Sequence, residues 1–158
     1  MPIHPIEPIF NDKSEILILG SFPSVKSRQE MFFYGHPQNR FWRVLATVFS
    51  AEIPNTVEEK TKFLLSHKIA LWDVIASCDI IGSSDSSIKN VVPNDLNRIL
   101  NCADIKQIFV NGKTSERYYN QYIRNSLNID AVCLPSTSPA NAAWSLERLV
   151  DAWKIIKI

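Results

Sequence analysis

Residues 31–42, MFFYGHPQNRFW, concentrate the side chains best suited to handling a flat, polar ligand. Phe32, Phe33 and Tyr34 precede Gly35, and His36 and Pro37 lead towards a helical segment. A planar heterocycle gains about 1–3 kcal/mol by stacking on an aromatic face, so one ring can act as a platform while its neighbours fill a core. Asn39 has two readings of equal weight. As a helix N-cap, its side chain is consumed by backbone N–H groups. If Pro37 is the first helical residue, His36 is the cap and the Asn39 carboxamide is free in the first turn.

Two further stretches pair serine with proline. GSFPSVKS at 20–27 contributes Ser21, Pro23 and Ser24, and PSTSPAN at 135–141 contributes Ser136, Ser138 and Pro139. Proline stiffens such a loop, while hydroxyls and backbone amides can hold a phosphate without much net charge. Ordinary turn chemistry uses the same residues and is the commoner outcome of this spacing. NGKTS at 111–115 resembles part of a phosphate-binding loop. That motif needs a second glycine five residues before Gly112, and Gln107 stands there, so Gly112 reads as a strand-to-helix turn.

Four short apolar runs position these segments: 16–19, 69–72, 108–110 and 131–134. Each is rich in Ile, Val or Leu and closes on Gly, Asp, Asn or Pro, the signature of a buried parallel strand. Helical spacing separates them. Phe41, Leu45 and Val48 share a face over 37–49, and Leu96, Ile99 and Leu100 share one after Pro93. A third helix follows Gly112. The last spans 141–156 and buries Leu146, Leu149, Val150 and Trp153. Strands alternating with helices predict one three-layer α/β/α domain over 1–158, with a central, mainly parallel four-stranded sheet and an extended arm over 1–12. Ligands of such sheets bind beyond the carboxyl ends of the strands, where Asp73, Asn111 and the two Ser-Pro loops fall.

Composition narrows the classes. With 46% hydrophobic and 21% charged residues, the chain matches a globular domain and not a disordered one. A net charge of +1 excludes a polybasic protein but leaves room for a local phosphate-binding patch. No stretch approaches the roughly 18 apolar residues of a membrane span. MPIHPIEPIF lacks the charge pattern of a signal peptide. Cys78, Cys102 and Cys133, odd in number and widely spaced, read as reduced thiols of a cytoplasmic protein. His4, His36 and His67 form no pair with metal-ligand spacing, so neither metal nor cofactor is expected.

GSFPS after the first strand, the FYGHPQNRFW block and PSTSPAN after the last strand together resemble the uracil-DNA glycosylase superfamily. They are most similar to its hypoxanthine-DNA glycosylase branch, the DNA-deoxyinosine glycosylases. The resemblance spans nearly the whole chain, and HPQNRFW is its most specific part. It implies a uracil-DNA glycosylase-like fold and excision of a deaminated base, chiefly hypoxanthine, from DNA. The uracil-removing relatives place a water-positioning Asp or Asn where this chain has Phe22; in the hypoxanthine branch that role passes to Asn39. Tyr34 is implied as the ring covering the base, with Phe22 a second wall. Asp73 falls where relatives read the base edge, and Asn111 holds a comparable strand end. Ser136 stands where tight uracil binders carry His or Asn. The DNA wedge falls at Ala140 and Asn141, both small. The four cysteines of iron–sulfur members are absent from the sequence.

A base must leave the stack before such chemistry, at a cost of a few kcal/mol that is lower in a poorly pairing mismatch. Asn39 would orient a water towards C1′, donors around the base would stabilise its departing anion, and no lysine is expected to form a Schiff base. The expected product is an abasic site without strand scission. The expected partner is DNA holding a deaminated base, met by a monomer in the cytoplasm, or at the nucleoid if the source is prokaryotic. Uracil as the main substrate, or a non-catalytic DNA binder with crowded side chains near Tyr34 and Asn39, are the competing expectations. All of this depends on an Asn39 carboxamide that is not locked into its own helix terminus and that lies beside an aromatic-walled slot able to admit an everted base.

Overall fold

The computed structural model describes residues 3–157. Met1, Pro2 and Ile158 lie outside the described residues, so the expectations for an arm over 1–12 and a domain over 1–158 apply to the rest. Four parallel strands form the central sheet: β1 (Ile16–Gly20), β2 (Ile69–Asp73), β5 (Gln107–Asn111) and β6 (Ala131–Leu134), in the order β2-β1-β5-β6. These are the four apolar runs read from the sequence: β1, β2 and β5 extend them by one or two residues and β6 matches its run. Every residue of β1 and β2 is buried, so both faces of the sheet are covered there.

Between β1 and β2 lie α1 (Val25–Glu30), α2 (Phe41–Val48) and α3 (Val57–Ser66). The chain then crosses to the other side of β1. It passes through β3 (Ile75–Asp79), β4 (Lys89–Pro93) and α4 (Asn97–Leu100) to β5, then α5 (Lys113–Tyr122), α6 (Arg124–Leu127) and β6, ending in α7 (Leu146–Trp153). Right-handed crossovers that leave β1 in one direction and β5 in the other put their helices on opposite faces. Accordingly α3 packs on β2, α5 on β5 and β6, and α7 against α2. Loops after β1 and β5 therefore diverge, opening the carboxyl edge between them to a ligand.

Three helical expectations need correction. The helix read over 37–49 starts only at Phe41, because Asn39 turns the chain first and takes the Phe41 N–H. The last helix starts at Leu146, where the Ser145 hydroxyl accepts the Arg148 N–H as N-cap, and residues 154–156 close it as a tighter 3-10 turn. Pro93 does not open a helix: it ends β4, opposite Ile75. The antiparallel β3–β4 hairpin was not foreseen. Only Val74, itself apolar, separates β2 from β3, and the GSSDSS loop is the hairpin's tip.

The N-terminal arm is extended over its described residues and has a structural task. Ile9 pairs antiparallel with Leu71 and Ile3 with Ser77, so the arm covers the outer edge of β2 and continues along β3. A covered edge cannot template pairing with another chain.

Candidate functional site

The carboxyl ends of β1, β2 and β5 present Gly20, Asp73 and Asn111, and the loop after β6 folds back over them. Tyr34 reaches this edge from the 31–42 block. Its backbone lies in the left-handed region, φ 52°, a conformation that costs a residue with a side chain about 1–3 kcal/mol and persists only where its surroundings impose it. Two contacts do so. The Tyr34 ring stacks on Phe41 at 4.0 Å between centroids and 15° between planes, and its hydroxyl accepts a hydrogen bond from Asn111 Nδ2 at 3.2 Å. Phe41 itself is fully buried, packed edge-on against Trp42 and Trp153. Tyr34 is thus anchored to the core by one face.

Burial first, and the negative charge of Asp73 second, push the Tyr34 phenol well above its ordinary range, against the opposing pull of the Asn111 hydrogen bond. The hydroxyl is a neutral donor and acceptor throughout the ordinary pH range. Gly20 makes this juxtaposition feasible: a Cβ there would collide with Asp73 Oδ1 and lie 2.9 Å from the Tyr34 hydroxyl. Only a bare Cα lets the carboxylate and the phenol converge above β1.

A chain of hydrogen bonds joins the block to the last loop. Asn111 donates through Nδ2 to Thr137 Oγ1 at 3.0 Å, and its Oδ1 accepts the Thr137 N–H at 3.1 Å. The Thr137 hydroxyl donates in turn to Asn39 Oδ1 at 2.9 Å, and the same oxygen accepts the Phe41 N–H at 2.9 Å. Exchanging oxygen and nitrogen in the Asn39 amide would set donor against donor at Phe41, so its orientation is chemically determined. The expectation of an unengaged carboxamide fails for half the group. Both lone pairs of the Asn39 oxygen are used where α2 begins, whereas Nδ2 has no hydrogen-bond partner among the described residues. Asn111 is similarly committed, both ends of its amide bolting Tyr34 to the last loop.

Arg40 does for that loop what no serine does. Its backbone N–H donates to Thr137 O at 3.1 Å. Its guanidinium donates to the backbone carbonyls of Ser138 and Asn141, each at 3.1 Å, and to that of Trp144. Trp153 Nε1 adds a bond to Pro135 O at 2.9 Å. Within the loop, Ser136 Oγ accepts the Ser138 N–H and Ser138 Oγ accepts the Ala140 N–H, both at 3.1 Å. Neither hydroxyl proton has an acceptor among the described residues. Asn141 turns inward, its Nδ2 donating to Ser136 O at 3.0 Å, so it braces the loop instead of projecting as a wedge; Ala140 is the exposed tip, beside half-buried Pro139. Gly112, at φ 96°, lets β5 meet this loop, since a Cβ there would lie 3.0 Å from Ser136 Cβ.

The first Ser-Pro loop is spent differently. Ser24 caps α1: its Oγ accepts the Ser27 N–H and donates to Ser27 Oγ, both at 3.1 Å. The expectation that Ser24 offers its hydroxyl to a phosphate is overturned by this cap. Ser27 Oγ in turn accepts the Gly35 N–H at 2.9 Å, linking the loop to the turn that holds Tyr34. Pro23 is buried; Ser21 is half-buried and its carbonyl accepts the Ile75 N–H. Phe22 is half-buried too, with the His4 ring edge-on at 5.9 Å and the Arg28 guanidinium over its face at 5.4 Å. It stands at the Asp73 side of the cluster.

Sequence reading assigned no role to His4, Ser27, Arg40 or Thr137. Arg40 and Thr137 lie inside the two flagged motifs, and an arginine four residues after a histidine–proline turn gave no hint of where its fork would reach. His4 carried no signal at all. Two surface hollows, of about 750 Å³ beside Lys13, Val57 and Lys62 and about 470 Å³ beside Leu100, Cys102 and Ile129, lie at the amino ends of the strands, away from this cluster.

A four-stranded parallel sheet with a polar cluster at its carboxyl edge, built from the ends of β2 and β5 and the segments that follow β1 and β6, matches a known architecture. Residues 7–157 match the family model of the uracil DNA glycosylase superfamily. The chain belongs to that superfamily. It is 32% identical over 148 residues to a hypoxanthine DNA glycosylase of Methanosarcina barkeri, covering 92% of each chain, and 32% identical over 142 residues to one of Methanosarcina acetivorans, covering 89% of each. A solution NMR structure from Methanosarcina acetivorans, described as a candidate uracil DNA glycosylase, superposes with a TM-score of 0.79 at 30% identity, over 96% of this chain and 93% of that one.

Proposed function

We propose that this protein is a monofunctional DNA glycosylase that hydrolyses the N-glycosidic bond of hypoxanthine, the product of adenine deamination, in base excision repair. The two Methanosarcina relatives named for that activity support the substrate, and one observation carries the site: Tyr34, Asn39, Asn111 and Thr137 form one hydrogen-bonded chain beside the Asp73 carboxylate at the strand ends. The protein acts as a monomer in the cytoplasm, at the nucleoid if its source is prokaryotic.

In this reading the flipped base enters between Tyr34 and Phe22. Hypoxanthine offers a carbonyl oxygen next to an N–H, the reverse of adenine's amino group next to a bare ring nitrogen. The Tyr34 hydroxyl donates to that oxygen and Asp73 Oδ1 accepts that N–H, so adenine would meet donor with donor and acceptor with lone pair. The Asn39 oxygen being occupied, its Nδ2 donates to the attacking water and fixes it below C1′, a contribution of geometry and not of basicity. Ser136 and Ser138 give their hydroxyl protons to backbone phosphates.

Duplexes bearing hypoxanthine, uracil or xanthine, incubated with the protein and then treated with alkali, test the reading. Strand breaks only after alkali are expected, fastest with hypoxanthine. No break with any of the three ends the reading. Faster release of uracil would move the protein towards the activity named for the solved structure. A second reading, a DNA binder without catalysis, draws on the same compact cluster, in which Asn111, Thr137 and the Asn39 oxygen are already engaged with one another; it requires retained duplex binding with no base released.

A further inference from the structure

His4 is the one imidazole of the described residues that touches the candidate site. Its Nε2 lies 2.7 Å from Asp73 Oδ2, and both side chains are almost wholly buried, at 3% and 5% exposure. The Ile6 N–H points at the other ring nitrogen, Nδ1, at 3.2 Å. A backbone N–H needs a lone pair to meet, so Nδ1 is bare and the proton sits on Nε2, aimed at the carboxylate. The ring is gripped edge-on by Phe22 and Trp72 and tilted against Phe33, with centroids 5.9–6.5 Å apart. The backbone of the arm is anchored as well, His4 N donating to Ala76 O at 2.6 Å.

Asp73 has two oxygens and uses them differently. Oδ2 is held by His4; Oδ1 stands over the Cα of Gly20, facing the Tyr34 hydroxyl, and has no hydrogen-bond partner among the described residues. A buried carboxylate with nothing to hold it is costly and turns towards whatever donor it can reach, which would swing Oδ1 away from the Tyr34 hydroxyl.

We propose that His4 is a positioning residue for the glycosylase reaction: through Nε2–H it fixes the Asp73 carboxylate so that Oδ1 faces the base edge as an acceptor. The inference rests on the glycosylase reading above and deepens it. The arm is then a working part of the site and not merely a cover for β2.

The full-length protein carrying His4→Phe keeps a ring in the aromatic clamp and removes the donor; His4→Gln restores an N–H near the position of Nε2. A hydrogen bond to a charged group supports a loss of about 10- to 100-fold in kcat/KM on hypoxanthine duplexes for the Phe variant, with KM and the hypoxanthine-to-adenine preference both worsening, and recovery to within about threefold in the Gln variant. Nitrogen-15 spectra of the parent should show His4 protonated at Nε2 alone. Parental rates and preference in a folded His4→Phe, or a His4 protonated at Nδ1, overturn the inference while leaving the glycosylase intact. Should His4→Phe not fold, a folded His4→Gln with rates as low as those of Asp73→Ala overturns it equally. A parent that releases no base from any duplex overturns the glycosylase reading and this one with it.

Discussion

The two Ser-Pro loops look interchangeable in sequence and are built on different principles. In GSFPS the second serine is absorbed locally: Ser24 caps α1, and its neighbour Ser27 passes the connection on to Gly35. In PSTSPAN the loop is held from outside by Arg40, Asn111 and Trp153, so Ser136 and Ser138 keep their hydroxyl protons available. A hydroxyl's availability depends on whether its own backbone needs it, and a helix start immediately downstream needs it. The first loop is thus a structural hinge beneath Tyr34, and the last is the better candidate for gripping DNA.

The comparison breaks most decisively at Asn39, whose oxygen receives the last loop's Thr137 hydroxyl. Asn39→Ala should lower base release by about 1000-fold while circular dichroism stays native, the scale set by losing a preorganised polar contact. Asn39→Asp separates the two ends of the amide: it keeps the oxygen that Phe41 and Thr137 need but replaces the Nδ2 donor. A rate as low as that of Asn39→Ala supports water held by Nδ2; a fully active Asp variant removes that role.

Arg40→Ala comes next. Loss of three charge-assisted bonds to the carbonyls of residues 138, 141 and 144 should destabilise the protein by about 2–3 kcal/mol in urea unfolding, and duplex affinity should fall with it. Unchanged stability and affinity would mean that the last loop holds its shape without external support. A smaller effect tests the serines against each other. Ser24→Ala should cost about 1 kcal/mol of stability, as a lost N-cap does, with duplex affinity unchanged. Ser138→Ala should do the reverse, weakening binding a few-fold at parental stability. If both variants behave alike, the distinction between the loops is void.

The smallest effect concerns pH. Burial and the Asp73 charge raise the Tyr34 pKa in the folded state, which favours the neutral phenol. The resulting contribution to stability is full below about pH 10, the unfolded value, and is lost as pH rises beyond it. Turnover between pH 7 and about pH 9.5 should therefore show no loss traceable to a phenol. A loss in that window that disappears in Tyr34→Phe would contradict the burial of this hydroxyl.

Sequence alone determined the parts of this protein whose physics is local or periodic. Strands β1, β2 and β5 were legible because a strand buried on both faces must be apolar at every position, as ILIL and IALW are. Partly exposed at the sheet's edge, β6 was legible as a short apolar run closed by proline. The site's address followed from the same fact, since parallel strands leave their carboxyl ends for ligands. The 31–42 block and both Ser-Pro loops were legible as motifs. The state of Asn39 was not: its oxygen is shared between the Phe41 N–H and a Thr137 hydroxyl 98 positions away. Nor was the β3–β4 hairpin, because a one-residue connection after Asp73 leaves no turn signal to announce a new strand. His4 shows the limit most plainly, for its contact with Asp73 spans 69 positions and exists only because the arm pairs with the edge of β2. Hydrogen-bond partners distant along the chain are chosen by packing, and packing is a property of the whole fold.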